Sequence, residues 1–225
     1  MNLEIVILIP AYNPDEKLIK VLEELKSNNF LNIVVVNDGS KADSIWSTIE
    51  KYAIVLEHDE NKGKGRALKT GFSYCLDKFR DKIGVITMDC DGQHLVSDVI
   101  KIYQEMLNNK DSVILGSRNF YDKNVPFTSK MGNLIFRKIL KLKIKKEIKD
   151  TQTGLRGFPI NVLKNLIDIK GNRFEYETNV LIGLVKNKIK ISEVLIETVY
   201  INNNETSHFN RVKDSIDVLK TIIKK

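Results

Sequence analysis

Ile83-Gly84-Val85-Ile86-Thr87-Met88 runs straight into Asp89-Cys90-Asp91-Gly92-Gln93. The first six residues are short, apolar, partly β-branched and closed by charges and a glycine, the pattern of a strand buried in a sheet. Both carboxylates then emerge where the backbone turns out to solvent. Beyond the pleat, side chains at i and i+2 can converge on one point, and two like charges held that close are costly unless a cation stands between them. All-oxygen ligands favour a hard divalent ion, Mg²⁺ or Mn²⁺, with the Gln93 side-chain carbonyl as a candidate third ligand after Asp89 and Asp91. An ion held so lightly by protein completes its shell with water and a substrate's phosphates, which points to a nucleoside diphosphate. Taken alone, the same D-x-D also reads as a solvated acidic turn.

The runs on either side set the fold class. Leu3 to Ile9, Ile33 to Val36, Ile54 to Leu56 and Val113 to Leu115 are further strand-like runs, and Gly65 to Phe79 is helical. Asn13-Pro14-Asp15-Glu16 has the form of a helix start, with Asn13 as the capping side chain, and Leu18, Ile19, Leu22 and Leu25 follow at helical spacing. The alternation βαβαβ through about residue 117 predicts an α/β fold, a Rossmann-like, mostly parallel sheet flanked by helices, with ligands at the carboxyl ends of its strands. There is no linker, repeat or low-complexity tract. Residues 1–225 read as one domain, about 1–117 forming a nucleotide-binding half and about 118–225 an acceptor-binding half.

The strand ends carry chemistry. They deliver Pro10-Ala11-Tyr12-Asn13, Asn37-Asp38-Gly39-Ser40, the Asp89 to Gln93 loop and Gly116-Ser117-Arg118 to one rim. A tyrosine can stack on a base and an aspartate can accept the imide N–H of a pyrimidine, so this rim has what a uridine site requires. Gly63-Lys64-Gly65-Arg66 opens a helix but lacks the third glycine of G-x-G-x-x-G, and no Walker-type loop occurs. His58, His94 and His208 are scattered and no nucleophile elbow is present; His94 alone adjoins the metal loop.

The chain resembles the family 2 glycosyltransferases of GT-A fold, and within them the branch that loads a sugar onto a polyprenyl phosphate, as dolichol-phosphate mannose synthases do. The resemblance rests on an ordered set: IPAYN (9–13), VVNDGS (35–40), NKGKGRAL (61–68), DCDGQH (89–94), GSR (116–118), DTQTGLRG (150–157) and FEYE (174–177). It implies a donor site drawn from Pro10, Ala11, Tyr12, Asn13, Asp38, Lys64, Asp89 and Cys90, with Pro10, Tyr12 and Asp38 on the uracil and Lys64 near the base and diphosphate. It also implies metal ligation by Asp89, Asp91 and Gln93. Asn37 departs from the pattern, since many relatives carry a second aspartate there. On the acceptor side, Arg118 and Lys130 can clamp a phosphate, and the resemblance gives matching basic residues that task on a lipid phosphate. Relatives more often carry arginine at the Lys130 position. Asp150, and after it Glu175, are the candidate bases should the acceptor be a hydroxyl.

Composition bounds the partners. With 225 residues, 42% hydrophobic, the chain can bury a core, and a net charge of +7 asks for an anionic partner. The acidic start Met1-Asn2-Leu3-Glu4 gives no signal peptide, no apolar stretch approaches the ~18–20 residues that cross a bilayer, and Cys75 and Cys90 are spaced as reduced cytosolic thiols. From Arg137 to Lys149 the sequence suggests a basic amphipathic helix, with Leu134, Ile135, Ile139 and Leu142 on one side and Arg137, Lys138, Lys141 and Lys145 on the other. Such a helix suits an anionic membrane surface, and an ordinary surface helix is the other reading. No aromatic-interleaved basic patch points to nucleic acid. The expectation is a metal-dependent, inverting enzyme of cell-surface glycan synthesis, peripheral on the cytoplasmic face of the membrane. It would use a UDP-sugar and undecaprenyl phosphate or a similar lipid, in company with a small polytopic membrane protein. Extension of a polysaccharide is the alternative, and a non-catalytic nucleotide-sugar-binding subunit a more distant one.

Overall fold

The computed structural model describes residues 3–41, 44–120 and 127–197; His208 lies outside them. Seven strands form one sheet in the order β3-β2-β1-β4-β6-β5-β7. They are β1 (Ile5–Ala11), β2 (Asn32–Asn37), β3 (Ile54–Glu57), β4 (Gly84–Thr87), β5 (Ser112–Arg118), β6 (Arg156–Pro159) and β7 (Lys190–Ile196). All neighbouring pairs are parallel except those made by β6, which is antiparallel to β4 on one side and β5 on the other. The expected mostly parallel α/β sheet is therefore present, and β6 and β7 are the strands that sequence periodicity did not reveal.

Both faces are covered, which is why β1 is apolar along its whole length instead of alternating. Val6 and Leu8 point into one core, with Ala67, Phe72 and Cys75 of α3 (Lys64–Lys78) and Tyr176, Val180 and Leu184 of α7 (Glu175–Lys186). Ile5, Ile7 and Ile9 point into the other, with Leu18, Leu22 and Leu25 of α1 (Glu16–Ser27), Trp46 of α2 (Ile45–Ile49) and Val99 and Ile102 of α4 (Val96–Asn108). The cap of α1 is Asp15, whose Oδ1 accepts from the Lys17 N–H at 2.9 Å. Asn13, expected in that role, instead takes a left-handed backbone (φ 46°) with its N–H on Ser40 Oγ. The sheet order reverses between β1 and β4, and at their carboxyl ends opens the crevice expected of such folds.

The basic helix differs from expectation. α5 spans Phe127–Ile144 and α6 Leu163–Ile167. Asn133, Phe136 and Leu140 make the buried stripe of α5, whereas Met131, Leu134, Ile135 and Leu142 are exposed, Leu142 at 81%. The segment begins earlier than the charge pattern suggested and packs through the 133/136/140 face; Leu134, Ile135 and Leu142, three of the four apolar residues expected on one side, share the outward side, and Lys138, expected opposite, joins them there. After Ile144 the chain reverses at Lys145 (φ 54°), and Glu147 folds back onto Arg137 and Lys141.

Candidate active site

A cleft of about 480 Å³ opens at the carboxyl ends of β1, β2 and β4. Its wall includes Pro10, Ala11, Tyr12, Asn13, Asp38, Lys64, Asp89, Cys90 and Asp91, joined by Arg173 and Phe174 ahead of α7. The residues expected to hold a nucleotide are thus gathered in one place. Gln93 is off this wall; its N–H donates to Asp91 Oδ1 at 3.0 Å. Arg118, Lys130, Asp150 and Glu175 also lie off it.

Asp38 is nearly inaccessible, and its carboxylate is heavily used. Oδ1 accepts from the Lys62 N–H at 3.0 Å and meets His58 Nδ1 at 2.7 Å, while Oδ2 accepts from the Gly63 N–H at 2.8 Å. His58 Nε2 in turn meets Thr70 Oγ1 at 2.9 Å. These bonds bind the loop before α3 to the end of β2. They commit one lone pair of Oδ2 and so leave acceptor capacity on that oxygen for a further N–H.

Gly63 sits at φ 97° at the start of α3, and a Cβ there would stand 2.5 Å from the Asn172 carbonyl oxygen. At Gly65 a Cβ would meet Tyr176 Cβ at 2.4 Å. The G-K-G sequence therefore serves close helix docking: it seats the 172–176 segment against α3 and brings Glu177 to Lys64. Lys64 Nζ lies 2.7 Å from both Asp89 Oδ1 and Glu177 Oε2. His94 Nε2 approaches Asp89 Oδ2 at 3.3 Å, and its Nδ1 is buried with no hydrogen-bond partner.

Electrostatics separates the two aspartates. Burial opposes the charge of Asp89, but Lys64 and His94 outweigh it and hold that carboxyl far below the ordinary range. Burial and the neighbouring Asp89 charge push Asp91 upward. Lys64, whose burial works against its charge, is held above its ordinary value by Asp89 and Glu177. Burial, reinforced by the two aspartates, raises the Cys90 thiol to about 12, so Cys90 is an inert piece of wall.

This donor set fits a hard divalent cation. Two carboxylates one residue apart face the cleft, and an ammonium already stands as the cation on one of them. Among the described residues no three His, Cys, Asp or Glu side chains converge on a point, as befits an ion that takes much of its shell from phosphate and water. Gly154 completes the support: a Cβ there would stand 2.4 Å from Asp89 Oδ2, and Thr87 Oγ1 donates to its carbonyl at 2.9 Å. The motifs DTQTGLRG and FEYE contain Gly154, Phe174 and Glu177, but sequence reasoning gave none of them, nor Arg173, a place beside Asp89, Lys64 or the cleft, because those places depend on pairing between distant segments.

Of the residues expected on the acceptor side, Arg118 and Asp150 form a two-pronged pair, Nε to Oδ2 at 2.6 Å and Nη2 to Oδ1 at 3.0 Å, with Asp150 fully buried. The Arg118 guanidinium also lies over the Phe120 ring. Asn133 of α5 anchors the same loop, donating to the Lys149 carbonyl at 2.8 Å and accepting from the Thr151 N–H at 3.3 Å. Lys130 stands half-buried one turn earlier on that helix. Glu175 Oε1 accepts from the N–H groups of Asn172 and Arg173. Neither expected base is an unengaged carboxylate, since one orients an arginine and the other caps a turn.

Residues 6–167 match the family described as Glycosyl transferase family 2. The chain is 34% identical over 217 residues to UDP-N-acetylglucosamine--dolichyl-phosphate N-acetylglucosaminyltransferase of Methanococcus voltae, covering 87% of this chain and 86% of that protein. It is 32% identical over 244 aligned positions to a dolichyl-phosphate beta-glucosyltransferase of Trichomonas vaginalis, covering 96% and 72%. Among solved structures, glucosyl-3-phosphoglycerate synthase from Mycobacterium tuberculosis, in complex with Mn²⁺, UDP and glucosyl-3-phosphoglycerate, superposes with a TM-score of 0.70 at 17% identity over 97% of this chain and 78% of that one. With phosphoglyceric acid alone the TM-score is 0.73. The shared architecture is the GT-A fold.

Proposed function

The chain belongs to glycosyl transferase family 2 and is a glycosyltransferase, and from that premise we propose that it moves a sugar from a UDP-sugar to a polyprenyl phosphate, with inversion at the anomeric carbon. Residues about 1–117 form the donor half in this reading and about 118–225 the acceptor half. Tyr12 stacks on the uracil and Asp38 accepts its imide N–H, while Pro10, Ala11, Asn13 and Cys90 close the wall around the nucleoside. Lys64 and the N-terminal turn of α3 face the diphosphate. Asp89 and Asp91, with Gln93 beside them, would hold Mg²⁺ or Mn²⁺, which when bound supplies positive charge against the leaving diphosphate. The structural neighbour holds Mn²⁺ together with UDP, and another of its complexes Mg²⁺ with UDP.

The observation that carries the acceptor assignment is the commitment of both candidate bases. Asp150 is paired with Arg118 and Glu175 with backbone N–H groups. A hydroxyl nucleophile needs a base, whereas a phosphate is already ionised near neutral pH. Arg118, oriented by Asp150, and Lys130 then grip that phosphate. Two of the relatives are named for dolichyl phosphate, which supports a polyprenyl chain of that kind or of the undecaprenyl kind.

The outward stripe of α5 supports a membrane location. Met131, Leu134, Ile135 and Leu142 lie with Lys138 on the side opposite Phe136 and Leu140, an apolar stripe with cations at its margin. Among the described residues no helix is long and apolar enough to cross a membrane. In this reading attachment is peripheral, on the cytoplasmic face, with a small polytopic membrane protein carrying the product across for cell-surface glycan synthesis.

The test is incubation of the purified protein with a panel of UDP-sugars and polyprenyl phosphate, followed by mass spectrometry of the lipid. An acid-labile polyprenyl phosphate sugar is expected. Robust transfer to an oligosaccharide with none to the lipid would overturn the assignment in favour of polysaccharide extension.

A further inference from the structure

The Lys64 ammonium bridges two carboxylates 88 positions apart in the sequence, Asp89 and Glu177. It touches Asp89 Oδ1 and Glu177 Oε2 at the same 2.7 Å, and its side chain is only 16% exposed. One of those carboxylates belongs to the D-x-D pair and the other to α7. Asp89 and Asp91 border the cleft, Glu177 stands off its wall, and the ammonium is the compensating charge held between Asp89 and Glu177. A divalent ion arriving at Asp89 meets a cation already in contact with that carboxylate. Two cations on one carboxylate repel, so the ammonium must yield, and it needs another anion to go to.

We propose that Lys64 is a resident stand-in for the metal, a latch on Asp89 that opens only when a diphosphate offers the ammonium a new partner. Metal and nucleotide consequently load as a unit. Glu177 is the positioning residue that holds the ammonium over Asp89 while the cleft is empty, and α3, carrying Lys64 on its first turn, aims it at the place where the diphosphate enters. This inference rests on the metal and nucleotide reading above. It adds that the coupling between the two ligands runs through Lys64, beyond the bridging of metal by phosphate.

Mn²⁺ binding, followed by electron paramagnetic resonance with and without UDP, tests it on the full chain. Wild type is expected to bind Mn²⁺ at least tenfold more tightly with UDP than without. Lys64→Met and Lys64→Gln should bind Mn²⁺ alone at least tenfold more tightly than wild type does, and the tightening produced by UDP should shrink accordingly. Lys64→Arg, which keeps the charge, should resemble wild type in Mn²⁺ binding without nucleotide. Should either neutral variant be too unstable when metal-free, Mn²⁺ alone should restore its cooperative melting, and failure to do so at saturating Mn²⁺ refutes the exchange. If wild type binds Mn²⁺ with UDP while the neutral variants gain nothing without it, the latch is refuted and the metal site stands. If wild type binds no Mn²⁺ even with UDP, the metal reading falls and the latch with it.

Discussion

At the scale of single residues, the site is built from charges that hold each other in place. Asp91→Asn leaves packing almost unchanged but removes one arm of the proposed cation site, so turnover should fall by about 10²-fold or more, the loss expected when a preorganised charge contact is deleted. Wild type in EDTA should lose activity likewise, and full activity in either case would remove the metal from the reaction. Acid should act at the same place. Asp91 is pushed upward by burial and by Asp89 while Asp89 is held low, so on acidification Asp91 takes the first proton. Affinity for Mn²⁺ with UDP should then decline at a higher pH than an ordinary aspartate would give, and Asp91→Asn should lose that step. The sign for stability is opposite. A carboxyl whose folded pKa is raised binds its proton more tightly folded than unfolded, so this group favours the metal-free fold as pH falls. Gly154→Ala should displace the Asp89 carboxylate and weaken Mn²⁺ and UDP binding together, readable by calorimetry, because a Cβ has no room there. Asp89 and Asp91 were legible in the sequence because a strand's end and a two-residue spacing are local facts. Gly154 and Glu177 stood in recognisable motifs, but their parts here were not legible, since they meet Asp89 and Lys64 only through tertiary pairing. Asp150 stood as a candidate base for a hydroxyl acceptor because sequence does not show that Arg118 occupies it.

At the scale of elements, α5 is the instructive case. Its amphipathic character and the common side of Leu134, Ile135 and Leu142 were visible, but not that Lys138 shares it or which face packs: a long helix with two apolar stripes offers two ways to pack, and the buried Asn133, bound to the 149–151 loop, selects one. The charges are also unequal. Glu147 pairs with Arg137 and Lys141 and is itself drawn down to about 2 by Lys141 first and Arg137 next, whereas Lys138 stands among the outward apolar residues. Replacing Ile135 and Leu142 by Gln should therefore weaken sedimentation with anionic vesicles more than Lys141→Gln does. Partial burial of an aliphatic side chain contributes roughly 1–2 kcal/mol, while one cation near the surface adds about 1 kcal/mol before any existing pairing is discounted. Equal effects, or none, would return α5 to the status of an ordinary surface helix. Because Asn133 ties α5 to the loop holding Asp150, contact at the outer stripe is mechanically close to the residues that orient Arg118.

At the scale of the whole molecule, the alternation of strands and helices announced the sheet, but β6 was hidden. It is four residues long, includes Gly157 and Pro159, and belongs to no βα repeat. It nevertheless fills the middle of the sheet, pairing Thr87 with Arg156 on the side of β4 and Leu115 with Arg156 on the side of β5. A fragment ending at residue 117 would hold β4 and β5 with nothing between them. Expressed alone, it should lack the dispersed amide spectrum of a packed domain; a native-like spectrum would show that β6 is dispensable. The consequence reaches how such a chain can diversify. On the proposed reading, donor and acceptor residues flank one shared strand, so the second half is not a cassette to be traded between enzymes as a block. A lineage that changes its acceptor must do so by substitution in place, around a ribbon whose backbone already serves the nucleotide side.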